Sequence, residues 1–264
     1  MPGMRGPDVR AGGSGQGRPA SSGWRAPRQP DDVFLRASRL VVRSGRGVRV
    51  AGVETQVVPA ALHRRERWRN GAGWTREIFA ARDGDGTGAW RWRLSIAEID
   101  ADGPFSCFPG VDRELVLLSG NGLHLRFDDG EAVELLPPHD SLRFAGERAL
   151  TGELIDGPTT DFNLMWQRGL VEARLWRRPL VGPMVLFVDP GDTWVVYLLA
   201  GHASFGAPSA LPPLAAGDTA LLAAPNGRSR HSLDGGGEAL VIRISEIAAT
   251  RSVSADGPGT ASSR

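Results

Sequence analysis

Short runs of valine, leucine and aromatic residues alternate along this chain with turns built from glycine, proline, aspartate and asparagine. The turns recur at intervals of about ten residues, which is the spacing typical of strands in a β-sandwich or β-barrel. Apolar residues at helical intervals are almost absent. The pattern predicts an all-β protein. In the clearest strand, Trp90, Trp92, Leu94 and Ile96 fall on one face, which we expect to be core.

Two parts of the chain resemble each other in register. LVLLSG at 115–120 matches VYLLAG at 196–201, and further along LPPHDS at 136–141 matches LAAGDT at 214–219. Each pair describes a strand that ends in glycine, followed by a turn whose aspartate enters another strand. This order is typical of cupin-type jelly rolls, so we expect cupin-like double-stranded β-helix units in tandem, a bicupin-like barrel. The alternative is that unrelated β-turns produce such matches by chance.

Composition divides the chain into a body and two tails. Residues 1–50 are rich in glycine, proline and arginine, and residues 248–264 are rich in serine, glycine and alanine. Such segments bury too little apolar surface to offset the entropy of ordering, so we expect both to be disordered. The folded body is expected over residues 53–247, with two β units over about 53–150 and 151–247.

Charge and hydropathy argue against several classes of function. The chain has 31 Lys+Arg against 30 Asp+Glu, and this net charge of +1 does not favour a nucleic-acid partner, which normally requires a clustered basic excess. No apolar run approaches the roughly 18 residues of a membrane helix, and no signal segment is evident. The single cysteine, Cys107, excludes an internal disulfide. We therefore expect a soluble cytoplasmic protein without a membrane partner.

Neither a metal site nor a common catalytic motif is evident. The five histidines are scattered, and no two of them are separated by a single residue as in a cupin HxH pair. Because metal ligation needs three or four converging side chains, we expect no metal and no cofactor. A nucleophile elbow, a phosphate-binding loop and a dinucleotide fingerprint are also missing. Cys107 has no neighbouring histidine and is expected to be a small buried side chain.

Three segments carry polar and aromatic residues in combinations that an ordinary strand or turn does not require. In the first of them, Asn70 and the glycines after it permit a bend, from which Thr75, Arg76 and Glu77 are predicted to extend. We interpret this combination as a built site. The segments are WRNGAGWTREI at 68–78, WRLSIAE at 92–98 and DGPFSCFPG at 102–110.

These three segments, with GVDR at 110–113 and DFN at 161–163, resemble the HutD/Ves family. The motifs stand in the family's order, and the resemblance spans nearly the whole expected body. One departure is Ala72, which occupies a position where the family more often has a third glycine. A methyl group is tolerated there only if Ala72 keeps a negative φ.

The resemblance implies a two-unit cupin-like β-barrel, usually without metal ligands. It also implies an accessory or regulatory role beside the enzymes of histidine utilisation, with no firmly established reaction. The family-level expectation is a protein that senses an intermediate of histidine breakdown. Its partner would be a small carboxylate-bearing metabolite, with formylglutamate and urocanate as candidates, and a homodimer is a further expectation.

The residue chemistry is compatible with a carboxylate ligand. Arg76 and Arg113 could each hold one carboxylate through two parallel charge-assisted hydrogen bonds. Neutral donors and acceptors and further carboxylates would complete the site. The candidate ligand-binding residues are Asn70, Thr75, Arg76, Glu77, Ser95, Glu98, Ser106, Arg113, Asp161 and Asn163.

Three alternatives remain open at this point. The arginines could instead form structural ion pairs, Arg76 with Asp161 or Arg113 with Glu98. The protein could be an enzyme in which Glu77 or Glu98, removed from water inside a barrel, acts as general base on a small acid. It could also be an interaction module whose barrel mouth binds a partner protein.

Overall fold

Strands make up almost all of the regular structure in the computed structural model, which describes residues 53–84 and 88–247. One 3-10 turn at Ala60–Leu62 is the exception among these residues. The all-β prediction is therefore confirmed. None of the helical structure in the described ranges is long and apolar enough to cross a membrane. The two tails that we expect to be disordered lie outside the described residues.

The strands form three antiparallel sheets. The first has six strands in the order β2 (Arg64–Arg67), β3 (Gly73–Arg82), β4 (Trp90–Ile99), β11 (Thr159–Gln167), β6 (Val111–Ser119) and β9 (Ser141–Ala145). The second has four, in the order β5 (Gly103–Pro104), β10 (Leu150–Leu154), β7 (Leu123–Phe127) and β8 (Ala132–Leu135). The third contains β1 (Gln56–Val58), β16 (Thr219–Ala223), β14 (Asp192–Phe205), β17 (Ser229–Glu246) and β12 (Val171–Val181), with β13 (Met184–Val188) paired to β17 and β15 (Leu214–Ala215) to β14.

The six-stranded sheet buries both of its faces. On one face, Ala97, Leu115 and Leu117 pack with Leu123 and Leu125 of the four-stranded sheet. We call these two sheets the first β unit, and the space between them its interior. The opposite face packs on the seven-stranded sheet, so the protein is built in layers. Because both faces are buried, strands such as β4 and β11 carry few exposed residues.

The seven-stranded sheet, which we call the second β unit, encloses a core of its own. Successive residues of β14 alternate between the two cores, as the two-residue repeat of a strand requires. Val195 and Tyr197 face the six-stranded sheet, whereas Val196 and Leu198 face the interior of the second β unit. The buried residues of that core are apolar, and the indole N–H of Trp194, which packs against it, is buried without a partner among the described residues.

Strand pairing shows where the chain passes from one β unit to the other. The first β unit extends through β11 to Gln167, and the second resumes at Val171 with β12. In addition, β1 near the start of the described chain pairs with β16 of the second β unit. The expected boundary near residue 150 falls at the start of β10, which belongs to the four-stranded sheet.

The internal repeat corresponds to a repeated hydrogen bond. Leu117 donates its backbone N–H to the carbonyl of Asp140 at 2.9 Å. Leu198, the matching residue of the second β unit, donates to the carbonyl of Asp218 at 3.0 Å. The aspartate turn therefore returns to the same point of the repeated strand in both halves. Together these features establish an all-β, cupin-like fold.

One detail of the clearest predicted strand is wrong. Trp92, Leu94 and Ile96 share the core between the six- and seven-stranded sheets, as predicted. Trp90 instead packs with Phe108 in a separate cluster. The register between β3 and β4 shifts next to Trp90, and such a β-bulge turns the following side chains to the other face.

Candidate functional site

The bend expected at Asn70 and the glycines after it is present as the turn before β3, and the TREI segment that follows lies within β3, which begins at Gly73. Side chains along a strand alternate, and consequently Thr75 and Glu77 lie on one face and Arg76 on the other. The cross-strand partner of Glu77 is Ser95, and that of Ser95 is Asn163. This row of residues faces the interior of the first β unit.

Polar side chains of neighbouring rows join this one in the same interior. Thr75 lies opposite Ala97, whose next partner is Asp161. Arg93 and Arg113 occupy a third row, since both are register partners of Met165. We call this group the lumen cluster. Its members are Thr75, Glu77, Arg93, Ser95, Arg113, Asp161 and Asn163.

A buried chain of hydrogen bonds forms the centre of the lumen cluster. The Nη2 of Arg113 donates to Asn163 Oδ1 at 2.7 Å. The amide of Asn163 in turn donates through Nδ2 to Asp161 Oδ1. Within the described residues, Arg113 Nε and Asp161 Oδ2 are both buried without a hydrogen-bond partner. Each end of the chain therefore retains an unused bonding position.

Aromatic rings surround the guanidinium of Arg113. Its Cζ lies 5.2 Å from the ring centre of Phe144, 5.4 Å from that of Phe105 and 5.7 Å from that of Phe108. The rings offer cation–π attraction but no hydrogen-bond acceptor. Burial lowers the pKa of Arg113 to about 10, so the group stays charged at neutral pH.

Asp161 is the other ionisable group at the centre of the cluster. Burial raises the pKa of its carboxyl to about 7, and the nearby charge of Arg113 acts in the opposite direction. The carboxyl is therefore close to half-protonated at neutral pH, and in its protonated form it can donate a hydrogen bond. No feature of the sequence around Asp161 indicates this shift.

Arg93 and Glu77 form an ion pair at the edge of the cluster. Arg93 Nε lies 2.8 Å from Glu77 Oε2, and the two side chains are 11% and 19% exposed. Arg93 is not among the site residues predicted from the sequence. Its spacing of two residues from Ser95 is the signal that could have identified it, because residues two apart on a strand share a face.

The WRNGAGW segment packs against the row of the cluster that contains Thr75. Trp68 donates its indole N–H to Thr75 Oγ1 at 2.8 Å. The indole ring lies over Gly73, where a Cβ would come within 3.2 Å of the ring and 2.3 Å of the Glu98 carbonyl. Gly73 is thus required by close approach, because a side chain there would displace either the ring or the strand.

Asn70 has a local role in the same turn. Its Oδ1 accepts a hydrogen bond from the backbone N–H of Ala72 at 3.0 Å. The exposed side chain does not join the lumen cluster. Gly71 takes a φ of +73°, which glycine adopts readily. Ala72 has no positive φ, so the condition placed on its methyl group is met.

The segment between Phe105 and Phe108 lies at the surface. Both phenylalanines turn toward Arg113, and this leaves Ser106 and Cys107 exposed. The prediction that Cys107 is buried is therefore wrong. Ser106 does not lie within the cluster. Among the described residues, no group of three or more His, Cys, Asp or Glu side chains is arranged to hold a metal.

Arg76 and Glu98 lie on the opposite face of the six-stranded sheet. Arg76 Nε is 2.7 Å from Glu98 Oε1, and Arg65 Nη2 is 2.5 Å from Glu98 Oε2. Neither of the ion pairs considered from the sequence is present among the described residues. Glu98 is paired with Arg76, while Arg113 is bonded to Asn163. Six of the ten candidate residues therefore lie in the lumen cluster. Arg76 and Glu98 lie on the other side of the sheet, and Asn70 and Ser106 lie in exposed loop segments outside both groups.

Comparison with known proteins places these features in a family. Residues 60–241 match the model of the HutD family. An uncharacterised 21.2 kDa protein from the hutC 3' region of Pseudomonas putida is 39% identical over 123 residues, which span 46% of this chain and 63% of that relative. Protein Ves of Cronobacter sakazakii is 40% identical over 138 residues, or 51% of this chain and 70% of the relative.

Solved structures agree with this match. HutD from Pseudomonas fluorescens SBW25, solved in a formate condition, has a TM-score of 0.64 and 29% identity, and the alignment covers 74% of this chain and all 100% of HutD. Protein YlbA from Escherichia coli has a TM-score of 0.57 at 9% identity, covering 82% of this chain and 97% of YlbA. At that identity the second likeness concerns the fold alone.

Proposed function

The chain belongs to the HutD family, and from this membership and the lumen cluster we propose that it is a small-molecule-binding accessory or regulatory protein of histidine utilisation. In this proposal it acts in the cytoplasm and senses a carboxylate-bearing intermediate of the pathway. The ligand is held by protein side chains without a cofactor. Relatives named HutD, or located beside hutC, support the link to the pathway.

The observation that carries the proposal is the state of Arg113. Its side chain is buried and charged, yet within the described residues its hydrogen bond goes to the neutral amide of Asn163. Buried charges in proteins are normally paired with an opposite charge. The free Nε–H of Arg113 provides a donor that a carboxylate would accept.

The neighbours of Arg113 supply complementary donors. Protonated Asp161 can donate from the carboxyl oxygen that has no partner within the described residues. Ser95 is buried beside Asn163 in the next strand. Thr75 accepts a bond from Trp68 and so keeps its own O–H for donation. Such a donor-rich interior suits a ligand with carboxylate oxygens, as in formylglutamate or urocanate.

Calorimetric titration of the full chain with formylglutamate and urocanate tests the proposal. We expect saturable binding of at least one of them, and an affinity at least about tenfold weaker in Arg113→Met, which loses the charge but retains much of the side-chain volume. Arg143→Met is the matched control, because Arg143 lies outside the cluster and stacks on Trp166. Absence of binding to either compound, or equal affinity in Arg113→Met, would overturn the proposal.

Asp161 favours one second candidate, an enzyme that uses it as general acid–base. A buried carboxyl with a pKa of about 7 is suited to proton transfer at neutral pH. Glu77 and Glu98, the bases considered from the sequence, are instead bound to arginines. Incubation of formylglutamate or urocanate with the protein, followed by NMR, distinguishes the two functions. Turnover that disappears in Asp161→Asn indicates an enzyme, and an unchanged compound indicates a binding protein.

A further inference from the structure

We propose a second ligand site, for a single carboxylate group, on the opposite side of the six-stranded sheet from the lumen cluster. It lies where the six- and seven-stranded sheets meet near the 3-10 turn. We call it the interlayer cluster. Its members are His63, Arg76, Tyr197 and Thr219.

Strand register brings three of these residues to one place. Arg76 is the cross-strand partner of Ile96, and Ile96 is the partner of Phe162, so all three lie in one row. The ring of Phe162 lies 5.1 Å from that of Tyr197 on the facing sheet. Tyr197 is in turn the partner of Thr219. The row that carries Arg76 therefore faces the row that carries Tyr197 and Thr219.

The 3-10 turn brings His63 to the same place. Ala60 donates its backbone N–H to Asp218 Oδ1 at 2.8 Å. Asp218 directly precedes Thr219 in the chain. The backbone N–H of His63 then bonds to the Ala60 carbonyl at 3.2 Å. The other oxygen of Asp218 accepts the backbone N–H of Ala215 at 2.9 Å. Both carboxylate oxygens of Asp218 are thus engaged by the backbone.

The imidazole of His63 and the hydroxyl of Thr219 have unused bonding positions. His63 is 9% exposed, and neither of its ring nitrogens has a hydrogen-bond partner within the described residues. Thr219 is 0% exposed, and its Oγ1 has no partner there either. Buried polar groups are ordinarily satisfied, so three such atoms in one cluster indicate that a bonding partner is missing.

Most of the unused bonding positions in the cluster are donors, so the missing partner is mainly an acceptor. Burial, reinforced by the charge of Arg76 and opposed by that of Asp218, lowers the pKa of His63, so its ring is neutral at pH 7 and has one N–H donor and one acceptor nitrogen. Thr219, Tyr197 and Arg76 also present donors. A carboxylate, with two oxygens and about four acceptor positions, matches this donor set.

Charge and access narrow the class of ligand further. The positive charge of Arg76 is shared with Glu98, which also contacts Arg65. Two guanidinium charges against one carboxylate leave a single positive charge in excess, and this favours a monoanionic carboxylate over a dianionic phosphate. The side chain of Arg76 is 32% exposed and that of Glu98 is 23% exposed, so the cluster opens to solvent on their side.

NMR titration of the full chain with sodium acetate tests the site, with sodium chloride at equal ionic strength as reference. We expect a saturable shift of the His63 ring resonances in acetate only. His124, which contacts Glu134 at 2.8 Å on the four-stranded sheet, should not respond. If the His63 resonances do not shift in acetate, or shift equally in chloride, the proposal is wrong.

Two valine substitutions test whether acetate binding depends on the hydroxyl of Thr219. Thr219→Val removes the buried hydroxyl while keeping its shape, so we expect a folded protein whose acetate affinity is at least about tenfold lower. Thr159→Val is the matched control, because Thr159 Oγ1 is also buried without a partner in the described chain. Thr159 pairs with Ile99, which faces the other side of the sheet. Full affinity in Thr219→Val, or an equal loss in Thr159→Val, contradicts the interlayer site.

Discussion

The interiors of the two β units differ in chemistry at positions that match in the internal repeat. Arg113 lies two residues before the first repeated segment, and Trp194 lies two residues before the second, so the two residues occupy matching positions. Arg113 is surrounded by aromatic rings and donates to Asn163. Trp194 stacks on Trp176, with ring centres 6.1 Å apart. One position therefore holds a charge in the first β unit and an indole in the second.

The neighbouring strands continue this contrast. Asn163 and Asp161 lie opposite Leu115 and Leu117 of the first repeated segment. At the matching positions of the second β unit, Val196 and Leu198 lie opposite Val241 and Ala239. Both of these counterparts are buried in an apolar core.

The difference teaches how one backbone frame serves two purposes. Strand pairing satisfies the backbone in both β units, so the inward side chains alone decide whether an interior is core or site. The second interior contributes to stability by excluding water from apolar surface. The first keeps polar groups with unused bonding positions, which lower its stability and provide a place for a ligand.

The strongest test of this contrast places an amide in the apolar interior. The substitution Val241→Asn introduces an asparagine at the position of the second β unit that matches Asn163 of the first. We expect the free energy of unfolding to fall by about 4 kcal/mol, because apolar burial is lost and the amide has no partner. Urea denaturation measures the change. Val181→Asn, at a position 92% exposed, should change it by less than about 0.5 kcal/mol. Equal effects of the two substitutions would show that the second interior tolerates polar groups.

A smaller effect is expected from the titration of Asp161. The pKa of its carboxyl is raised from 3.8 to about 7 in the folded state, so the folded protein binds the proton more tightly than the unfolded chain does. The contribution of Asp161 to the free energy of unfolding is consequently at its maximum below about pH 4, and it is lost as the pH rises toward 7. The loss amounts to about 3 kcal/mol over that range. Urea denaturation at a series of pH values measures it.

Asp161→Asn provides the control for the pH dependence, because the amide keeps the shape of the side chain but does not titrate. The difference in unfolding free energy between the parent and this variant should change steadily between pH 4 and 7 and be constant above about pH 8. A constant difference over the whole range would mean that Asp161 titrates normally and that water reaches the first interior.

Alternation and turn chemistry were sufficient to predict the all-β fold and the internal repeat. They fail where a strand is irregular. Alternation predicts Trp90 on the same face as Trp92, but a β-bulge between β3 and β4 places the two side chains on opposite faces. A bulge depends on which residues of the neighbouring strand form hydrogen bonds, and a single sequence does not contain that information.

The candidate site was predicted in part. Six of the seven members of the lumen cluster are predicted from the sequence, which also groups Arg76 with Thr75 and Glu77 because all three are expected to extend together from the bend before this segment. As a strand, it sends alternate residues to opposite faces, and this rule alone separates Arg76 from its neighbours. The approach of Asp161 to Arg113 depends on long-range register between β11 and β6, which no local pattern specifies.

The smallest expected effect on stability concerns Arg113 itself. In Arg113→Met the buried charge is removed, and Asp161 is not left as an uncompensated anion because it can take up a proton near neutral pH. The main penalty is the loss of the donor to Asn163 Oδ1. At pH 6 we therefore expect a decrease of about 1 to 2 kcal/mol in the free energy of unfolding, measured by urea denaturation. A decrease as large as that of Val241→Asn would mean that Arg113 holds the first interior together, as a core residue does in the second, and the contrast between the two β units would fail.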